Sequence, residues 1–340
     1  MANDIHYIPE WELKGRILLA LPHADTDWNY ILPEAVDQYR RLITAFVTHG
    51  EEVLLLVSDV DAAKASLANC PLRGVEFVEM PTNDTWTRDY GPVTVMRNDR
   101  MRAIDFGFNG WGLKFAACHD NLANLHLRDS GIMPKDIYRN CRSFILEGGS
   151  LETDGYGTLL TTSECLLSPN RNGDLTIDKI ADKLKAELGV DHILWLNHGA
   201  LEGDDTDSHI DTLCRLAPDN VILFTGCRDV DDSHFEELLK MRAELTMLRN
   251  AEGEPFNLVE LPLPDPIYDE EGYRLPATYA NYLVTPRAIY MPTYHQPQKD
   301  LLACNTVKIA FPEHEVVGVD CCTLIRQHGS LHCSTMVVPF

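Results

Sequence analysis

Cys333 closes the run His328-Gly329-Ser330-Leu331-His332-Cys333, and three carboxylate-bearing motifs precede it. These are Trp86-Thr87-Arg88-Asp89-Tyr90-Gly91-Pro92, Glu147-Gly148-Gly149-Ser150, and the run Asp204 to Asp211 that contains Asp207, His209 and Asp211. Asp89 and Glu147 are 58 residues apart, Glu147 and His209 are 62 apart, and His209 and Cys333 are 124 apart, twice that interval. Reactive motifs returning at one spacing predict repeated modules that each deliver a group to a common centre. A thiol, an imidazole and several carboxylates in one pocket suit attack by sulfur on a bound cation.

Each residue type has a task in that chemistry. A thiol attacks as thiolate, which needs positive charge nearby; a cysteine inert in the core is the competing reading. Gly329 and Ser330 just before Cys333 allow the backbone to approach a ligand closely. His209 stands between Asp207 and Asp211. On a strand all three side chains would share one face, and the carboxylates would orient the ring and favour its imidazolium as an acid/base. Asp89 follows Arg88 and precedes the turn signal Gly91-Pro92, so it reads as a pocket carboxylate or an exposed ion pair. Trp86 reads as an apolar wall or as core. Glu147 ends the apolar run Phe144-Ile145-Leu146 before two glycines, a strand-end position suited to a pocket or to a simple turn.

The Asp-x-His-x-Asp pattern also occurs in manganese ureohydrolases, where carboxylates and imidazoles hold two ions. The other aspartate motifs of those enzymes, Gly-Gly-Asp-His and Asp-x-Asp-x-x-Asp-Pro, are absent from the sequence.

The elements that must carry these groups read as α/β. Apolar strands are expected at 16–21, 53–57, 75–78, 158–161, 193–196, 221–225, 258–261, 282–284 and 288–291. Helical periodicity is expected at 34–48, 61–67, 177–188, 233–250 and 301–309. Pro262 to Pro276 is expected to be a long surface loop. Five modules of about 68 residues would fill the 340 residues, and the fourth lacks an obvious reactive group; Pro276 to Asn281 falls there and is expected to line the pocket.

Composition narrows the partners. The net charge is −23, from 52 acidic against 29 basic residues. Such a surface repels phosphate backbones and attracts small cations, so nucleic acid is not an expected partner. Ten cysteines without regular spacing, in a long chain, read as reduced thiols rather than a disulfide framework. No secretory pattern opens the sequence and no run reaches roughly 18 apolar residues, so a soluble, cytoplasmic protein without membrane contact is expected.

At these motifs the chain resembles the agmatine deiminase family, grouped with the bacterial type of peptidyl-arginine deiminase. The resemblance runs from Pro9-Glu10-Trp11-Glu12 and Leu21-Pro22, through Asn83 to Pro92, Phe108-Asn109-Gly110-Trp111-Gly112, Glu147 to Ser150 and Thr161 to Asn172, to the His209 and Cys333 motifs. It implies a five-bladed pseudosymmetric α/β-propeller of the pentein type: a single catalytic domain over residues 1–340, built from five ββαβ-like modules. It implies Cys333 as nucleophile, His209 as acid/base, Glu147 as its orienting group, and Asp89 and Asp211 as the carboxylates that grip a guanidinium. Trp86, Trp111 and Gly329 are expected to line the substrate. No metal or organic cofactor is implied, and a homo-oligomer, a dimer, is.

Two segments depart from many agmatine deiminases: His328-Gly329-Ser330-Leu331 before the nucleophile, and Thr285-Pro286-Arg287-Ala288 after the penultimate strand. Both are expected near the substrate tail. Agmatine is the first-ranked substrate, with another small guanidine, free arginine (its carboxylate on Arg287, a residue that reads equally as surface) or peptidyl-arginine as alternatives. A manganese ureohydrolase, an amidinotransferase and a non-catalytic binding propeller are the rival classes. With acids around it, the Cys333 thiol is expected to stay protonated until a cationic substrate arrives.

Overall fold

The computed structural model describes residues 5–340. Hydrophobic runs that are continuous rather than alternating become strands buried on both faces, as Val53–Val57 does. Apolar residues at helical spacing become helices that cover those strands. Leu32–Thr48 starts with a proline in its first turn and buries Ala35, Gln38, Tyr39, Leu42, Ile43 and Phe46 along one stripe. Ile177–Leu188 is bounded by Thr176, whose hydroxyl accepts from Lys179 N–H, and by Gly189 in the left-handed conformation.

The strands form five sheets of one design. A short leading strand runs antiparallel to a middle strand, which runs parallel to an outer strand reached through a helix. The triplets are Val93–Arg97, Arg100–Gly107 and Tyr138–Ile145; Glu152–Thr153, Thr158–Thr162 and His192–Leu196; Cys214–Ala217, Val221–Gly226 and Asn257–Pro262; and Leu283–Val284, Ala288–Thr293 and Glu315–Asp320. The fifth sheet draws its leading strand, Met336–Pro339, from the far end of the sequence. It pairs that strand with Gly15–Ala20, followed by Val53–Val57 and Val75–Glu79. Ile5–Tyr7 adds an antiparallel edge to the first sheet. Several helices pack across sheet boundaries: Leu32–Thr48 meets Glu315–Asp320, and Pro297–Ala310 meets Asn257–Pro262. This is the five-bladed α/β-propeller.

The expected helices and strands that appear lie close to their predicted bounds. The expected strand through Asp207, His209 and Asp211 does not form. Asp207 and Ser208 are both left-handed, with φ of 64° and 61°, and Ile210–Thr212 is one 3-10 turn. The alternation in that run therefore puts the three side chains on different sides. Pro262 to Pro276 contains only an isolated bridge between Tyr268 and Arg274, but it buries Leu263, Arg274 and Leu275, so it is packed rather than wholly on the surface. Among the described residues no helix is long and apolar enough to cross a membrane.

The ring closes where Pro339 pairs with Gly15. A Cβ on Gly15 would lie 2.6 Å from Val337 Cγ1 and collide with the Val338 carbonyl group. The backbone of a sheet cannot yield cheaply there. Gly15→Ala is expected to cost about 1–3 kcal/mol, read as a lower urea midpoint with an unchanged denaturant slope. An unchanged midpoint would show that this seam is not under packing constraint.

Candidate active site

The reactive groups stand at equivalent places. Asp89 lies in the turn before Val93–Arg97, Glu147 before Glu152–Thr153, His209 and Asp211 before Cys214–Ala217, and Cys333 before Met336–Pro339. The near-constant sequence interval is the length of one structural unit. The fourth sheet offers Asn281 at the matching position before Leu283–Val284. These turns pack against one another, and Glu147, His209, Asp211 and Asn281 are fully buried, with Asp89 3% and Cys333 6% exposed.

His209 is held from both sides. Its Nε2 lies 3.0 Å from Glu147 Oε2, and its Nδ1 lies 3.5 Å from Asp89 Oδ1. Asp89 also accepts from the Trp111 indole N–H at 2.9 Å and from Gly149 N–H at 2.9 Å. Trp111 reaches this position through a left-handed turn, its own φ being 54° beside Gly110 at 71° and Gly112 at 78°. A strained non-glycine backbone at such a place fits a positioned functional side chain. Asp211 Oδ2 lies 2.7 Å from His332 Nδ1, and His332 Nε2 lies 2.8 Å from Glu10. Glu10 in turn pairs with Arg88 at 2.6 Å and Arg215 at 2.9 Å, and Arg215 also pairs with Glu152.

Cys333 Sγ lies 3.8 Å from Asp211 Oδ2, and 3.2 and 3.4 Å from the Asn281 side-chain nitrogen and oxygen. Gly149 forms the floor: a Cβ there would lie 2.6 Å from His209 Nδ1, 2.8 Å from Asp89 Oδ1 and 3.1 Å from Asp211 Oδ2. Three charged or chargeable groups thus converge on a space that any side chain would fill. A cavity of about 120 Å³ leads to it, lined by Trp86, Trp111, Phe115 and Gly329 on its apolar side and by Asp27, Asp84, Asp204 and Asp205 on its acidic side. Gly329 is required where it stands, because a Cβ would strike the Trp86 ring.

The charges follow from these contacts. Burial pushes the Asp89 carboxyl up, as do the neighbouring Asp211 and Glu147, against the opposing pull of His209 and Trp111. Burial alone would raise Asp211 as well, but His332, His209 and Arg215 outweigh it and hold the carboxyl low. Glu147 is likewise lowered against burial, by His209 and Arg171. Burial opposes a charge on His209, yet Asp89 and the hydrogen bond to Glu147 hold its pKa well above the ordinary value. Cys333 is pushed well above the ordinary thiol range, by burial first and then by Asp211 and Asp89. The direction matches the sequence reading, with burial rather than charge as its largest cause. Glu147 faces His209 and Arg171 instead of the sulfur.

Among the described residues, Asp211 Oδ1, His209 Nδ1 and Glu147 Oε1 at this centre are buried without a hydrogen-bond partner. An unpaired buried carboxylate oxygen is costly, and a bound donor cation would satisfy it. The ureohydrolase arrangement is not built. Glu147, Cys165 and His209 approach one another within metal-ligating range. The position beside Glu147 Oε2, however, is already taken by the guanidinium of Arg171 at 2.7 Å. Asp207 turns away to Arg171 and Lys114, at 2.6 Å from each.

Sequence reasoning brought Cys333, His209, Glu147, Asp89, Asp211, Trp86, Trp111 and Gly329 to notice, and all lie at this centre. It passed over the buried supports Arg171, Arg215, Glu152 and Cys165. Arg287 is corrected: it is exposed, lies 3.8 Å from Glu51 and does not line the cavity, and neither do Thr285, Pro286 and Ala288. The second departure from the resemblance is therefore remote from the substrate tail, whereas His328 and Gly329 do line it.

The sequence matches the family model for Porphyromonas-type peptidyl-arginine deiminases over residues 6–339. It is 30% identical to the agmatine deiminase of Medicago truncatula, over 99% of this chain and 97% of that one. The structure is similar to a substrate-bound cysteine-to-serine variant of C. jejuni agmatine deiminase, with 39% identity, a TM-score of 0.91, and coverage of 98% and 96% of the two chains. It is similar as well to a Porphyromonas gingivalis protein provisionally described as an arginine deiminase, with 43% identity, a TM-score of 0.92, and coverage of 99% and 98%.

The free site is expected to be slow toward neutral alkylating agents. At pH 7 to 8, iodoacetamide should modify Cys333 at least about tenfold more slowly than an ordinary exposed thiol, and the rate should still be rising steeply at pH 9, where an ordinary thiol levels off. A cationic haloacetamidine, corrected for intrinsic reactivity, should label the Cys333 peptide much faster. Equal corrected rates, read by peptide mass spectrometry, would refute charge-dependent activation.

Proposed function

The chain belongs to the Porphyromonas-type peptidyl-arginine deiminase family, and from that footing we propose that it is one catalytic domain of five ββαβ units that hydrolyses agmatine to N-carbamoylputrescine and ammonia. The observation that carries this reading is the convergence of Asp89, Asp211 and His209 over Gly149 beside the Cys333 sulfur. Two carboxylates can grip the edges of a planar guanidinium through charge-assisted hydrogen bonds and turn its central carbon toward sulfur.

In the proposed reaction the arriving cation offsets the acids and favours the Cys333 thiolate, whose proton is released to solvent. Sulfur adds to the guanidinium carbon, and His209 donates a proton to the departing ammonia. The covalent thiouronium keeps one positive charge. His209, now neutral, takes one proton from water as its oxygen attacks the same carbon; the C–S bond then breaks with its electron pair returning to sulfur, and the second water proton is shed to solvent as the carbonyl forms. Glu147 orients His209 throughout, backed by Arg171.

The tail preference follows from the cavity. Asp27, Asp84, Asp204 and Asp205 line the cavity, and neither lysine nor arginine lines it among the described residues. An amine at the end of an alkyl chain is favoured there, and the carboxylate of free arginine is disfavoured. Trp86 and Trp111 flank the methylenes. The narrow cavity also disfavours a peptide on the substrate. A homodimer and a reducing, cytoplasmic setting are part of the proposal. The setting is supported by ten cysteines that are all free thiols.

Incubation with agmatine should release ammonia and a ureido product in equal amounts, identified by mass spectrometry. Urea, or a new guanidine formed with an added amine, would sink the reading. Cys333→Ser should lower kcat on the order of 10⁴-fold or more while leaving the circular dichroism spectrum unchanged.

A pH test separates the tail from the guanidine chemistry. Burial, with Asp27 adding to it, raises the Asp84 carboxyl to about 6. Asp84 is therefore ionised above that pH and attracts the amine; below it the carboxyl is neutral and the attraction is lost. KM for agmatine should rise as pH falls from 7 to 5, and KM for butylguanidine, which has no amine, should rise much less. Parallel KM profiles would remove Asp84 from tail recognition.

A further inference from the structure

We propose that Asn281 is a catalytic residue of this site: its side-chain N–H holds the Cys333 sulfur as a thiolate, chiefly when the C–S bond breaks. The proposal rests on the deiminase reading above. It goes beyond that reading by assigning a group to the fourth unit, the one without a titratable residue at the centre.

Two bonds fix which end of the Asn281 amide faces which partner. Its Oδ1 accepts from the backbone N–H of Cys333 at 3.2 Å, and its Nδ2 donates to the Asp211 carbonyl at 3.5 Å. A flipped amide would set donor against donor and acceptor against acceptor. Nδ2 therefore stands 3.2 Å from Sγ with its second hydrogen free for sulfur. Oδ1, 3.4 Å from Sγ, can accept from the neutral thiol. One amide thus serves both protonation states. The residue is wholly buried, and its own carbonyl accepts from His332 N–H at 3.1 Å, so the geometry is fixed from the backbone outward.

The reaction needs this donor unequally in its two halves. When sulfur attacks, the guanidinium supplies positive charge against Asp211 and Asp89. When sulfur leaves, that charge has gone. Water has added to the thiouronium carbon, His209 holds one of its protons, the other is shed to solvent as the carbonyl forms, and the ureido product is neutral. The electron pair of the C–S bond returns to sulfur only 3.8 Å from Asp211 Oδ2. A proton from solvent can restore the thiol as product departs, which leaves His209 charged for the next cycle, but at bond cleavage the Asn281 N–H is a neutral side-chain donor already in contact with sulfur. A preorganised N–H aimed at an atom that gains negative charge is worth most in a buried site.

Asn281→Ala, or the more volume-filling Asn281→Leu, removes that donor. Breakdown of the covalent intermediate should slow more than its formation. The expected results are a kcat lower by roughly 10²-fold, a lower KM, a burst of about one ammonia per site, and the Cys333 peptide carrying the amidino adduct of agmatine after acid quench. A merely structural loss would reduce kcat/KM together with kcat, with neither burst nor adduct, and that outcome would overturn the proposal. Wild-type protein that releases no ammonia from agmatine, but labels normally at Cys333, would instead overturn the deiminase reading.

Discussion

The structure is organised around buried negative charge that its own centre does not neutralise. Asp211 is kept ionised in a fully buried position and leaves Oδ1 without a donor among the described residues, while burial, with Asp211 and Glu147 adding to it, raises the Asp89 carboxyl. A buried carboxylate without a partner is among the least favourable arrangements a fold can carry. It is tolerable here because the surroundings over-determine it. Trp111 and the Gly149 amide fix Asp89, His332 fixes Asp211, and Glu10 with Arg215 and Arg88 fixes His332. A guanidinium arriving in that space replaces unpaired oxygens with hydrogen-bonded ones. The same electrostatics that keep Cys333 protonated in the free site therefore favour both binding and the thiolate once the cation is present.

The ring explains why five distant segments can meet with such accuracy. In every unit the functional turn immediately precedes the leading strand, so the strand register sets where the side chain lies. Cys333 is tied in this way to Met336–Pro339, which pairs with Gly15–Ala20 and joins the two ends of the sequence. The Arg88 N–H donates to the Cys333 carbonyl at 3.2 Å, linking the nucleophile directly to the turn that carries Asp89. The helices between sheets carry no reactive group at the centre; they hold the sheets at their mutual angles. Function and stability are thus divided between turns and layers, as is common where rigid elements present a site on loops.

What was legible in the sequence follows from this division. Val53–Val57 and Ile177–Leu188 could be read with their bounds, since a continuous apolar run and a capped amphipathic helix each carry a local signal. Glu152–Thr153 could not, because two residues have no periodicity, whereas Leu283–Val284 was legible within the apolar run 282–284. Asp89, Glu147, His209, Asp211 and Cys333 stood out by chemical type and by recurrence. Arg171 and Arg215 did not. A buried arginine looks in sequence like a solvated one, and only the fold shows what Arg171 does for Glu147. The alternation Asp207, His209, Asp211 misled for a local reason: two left-handed residues in succession interrupt the strand that the pattern suggests. Asn281 lay in a segment expected to line the pocket, but a neutral amide among Tyr279, Ala280 and Tyr282 gives no chemical signal until its distance to sulfur is known.

The acidic mouth and the acidic centre answer different parts of a substrate, and their separation sets specificity. In the proposed reaction Asp89 and Asp211 grip any guanidinium, whatever its tail. Asp27, Asp84, Asp204 and Asp205 also line the cavity, and near them a second positive charge lowers the energy and a carboxylate raises it. Between them Trp86 and Trp111 offer apolar surface, which matches methylenes and gives neither charge a partner. A dication with its charges separated by an alkyl chain meets complementary groups along its length. Free arginine meets the same centre but brings a carboxylate toward the acids. Discrimination between the two thus arises as much from the group that repels the wrong tail as from the group that holds the right one.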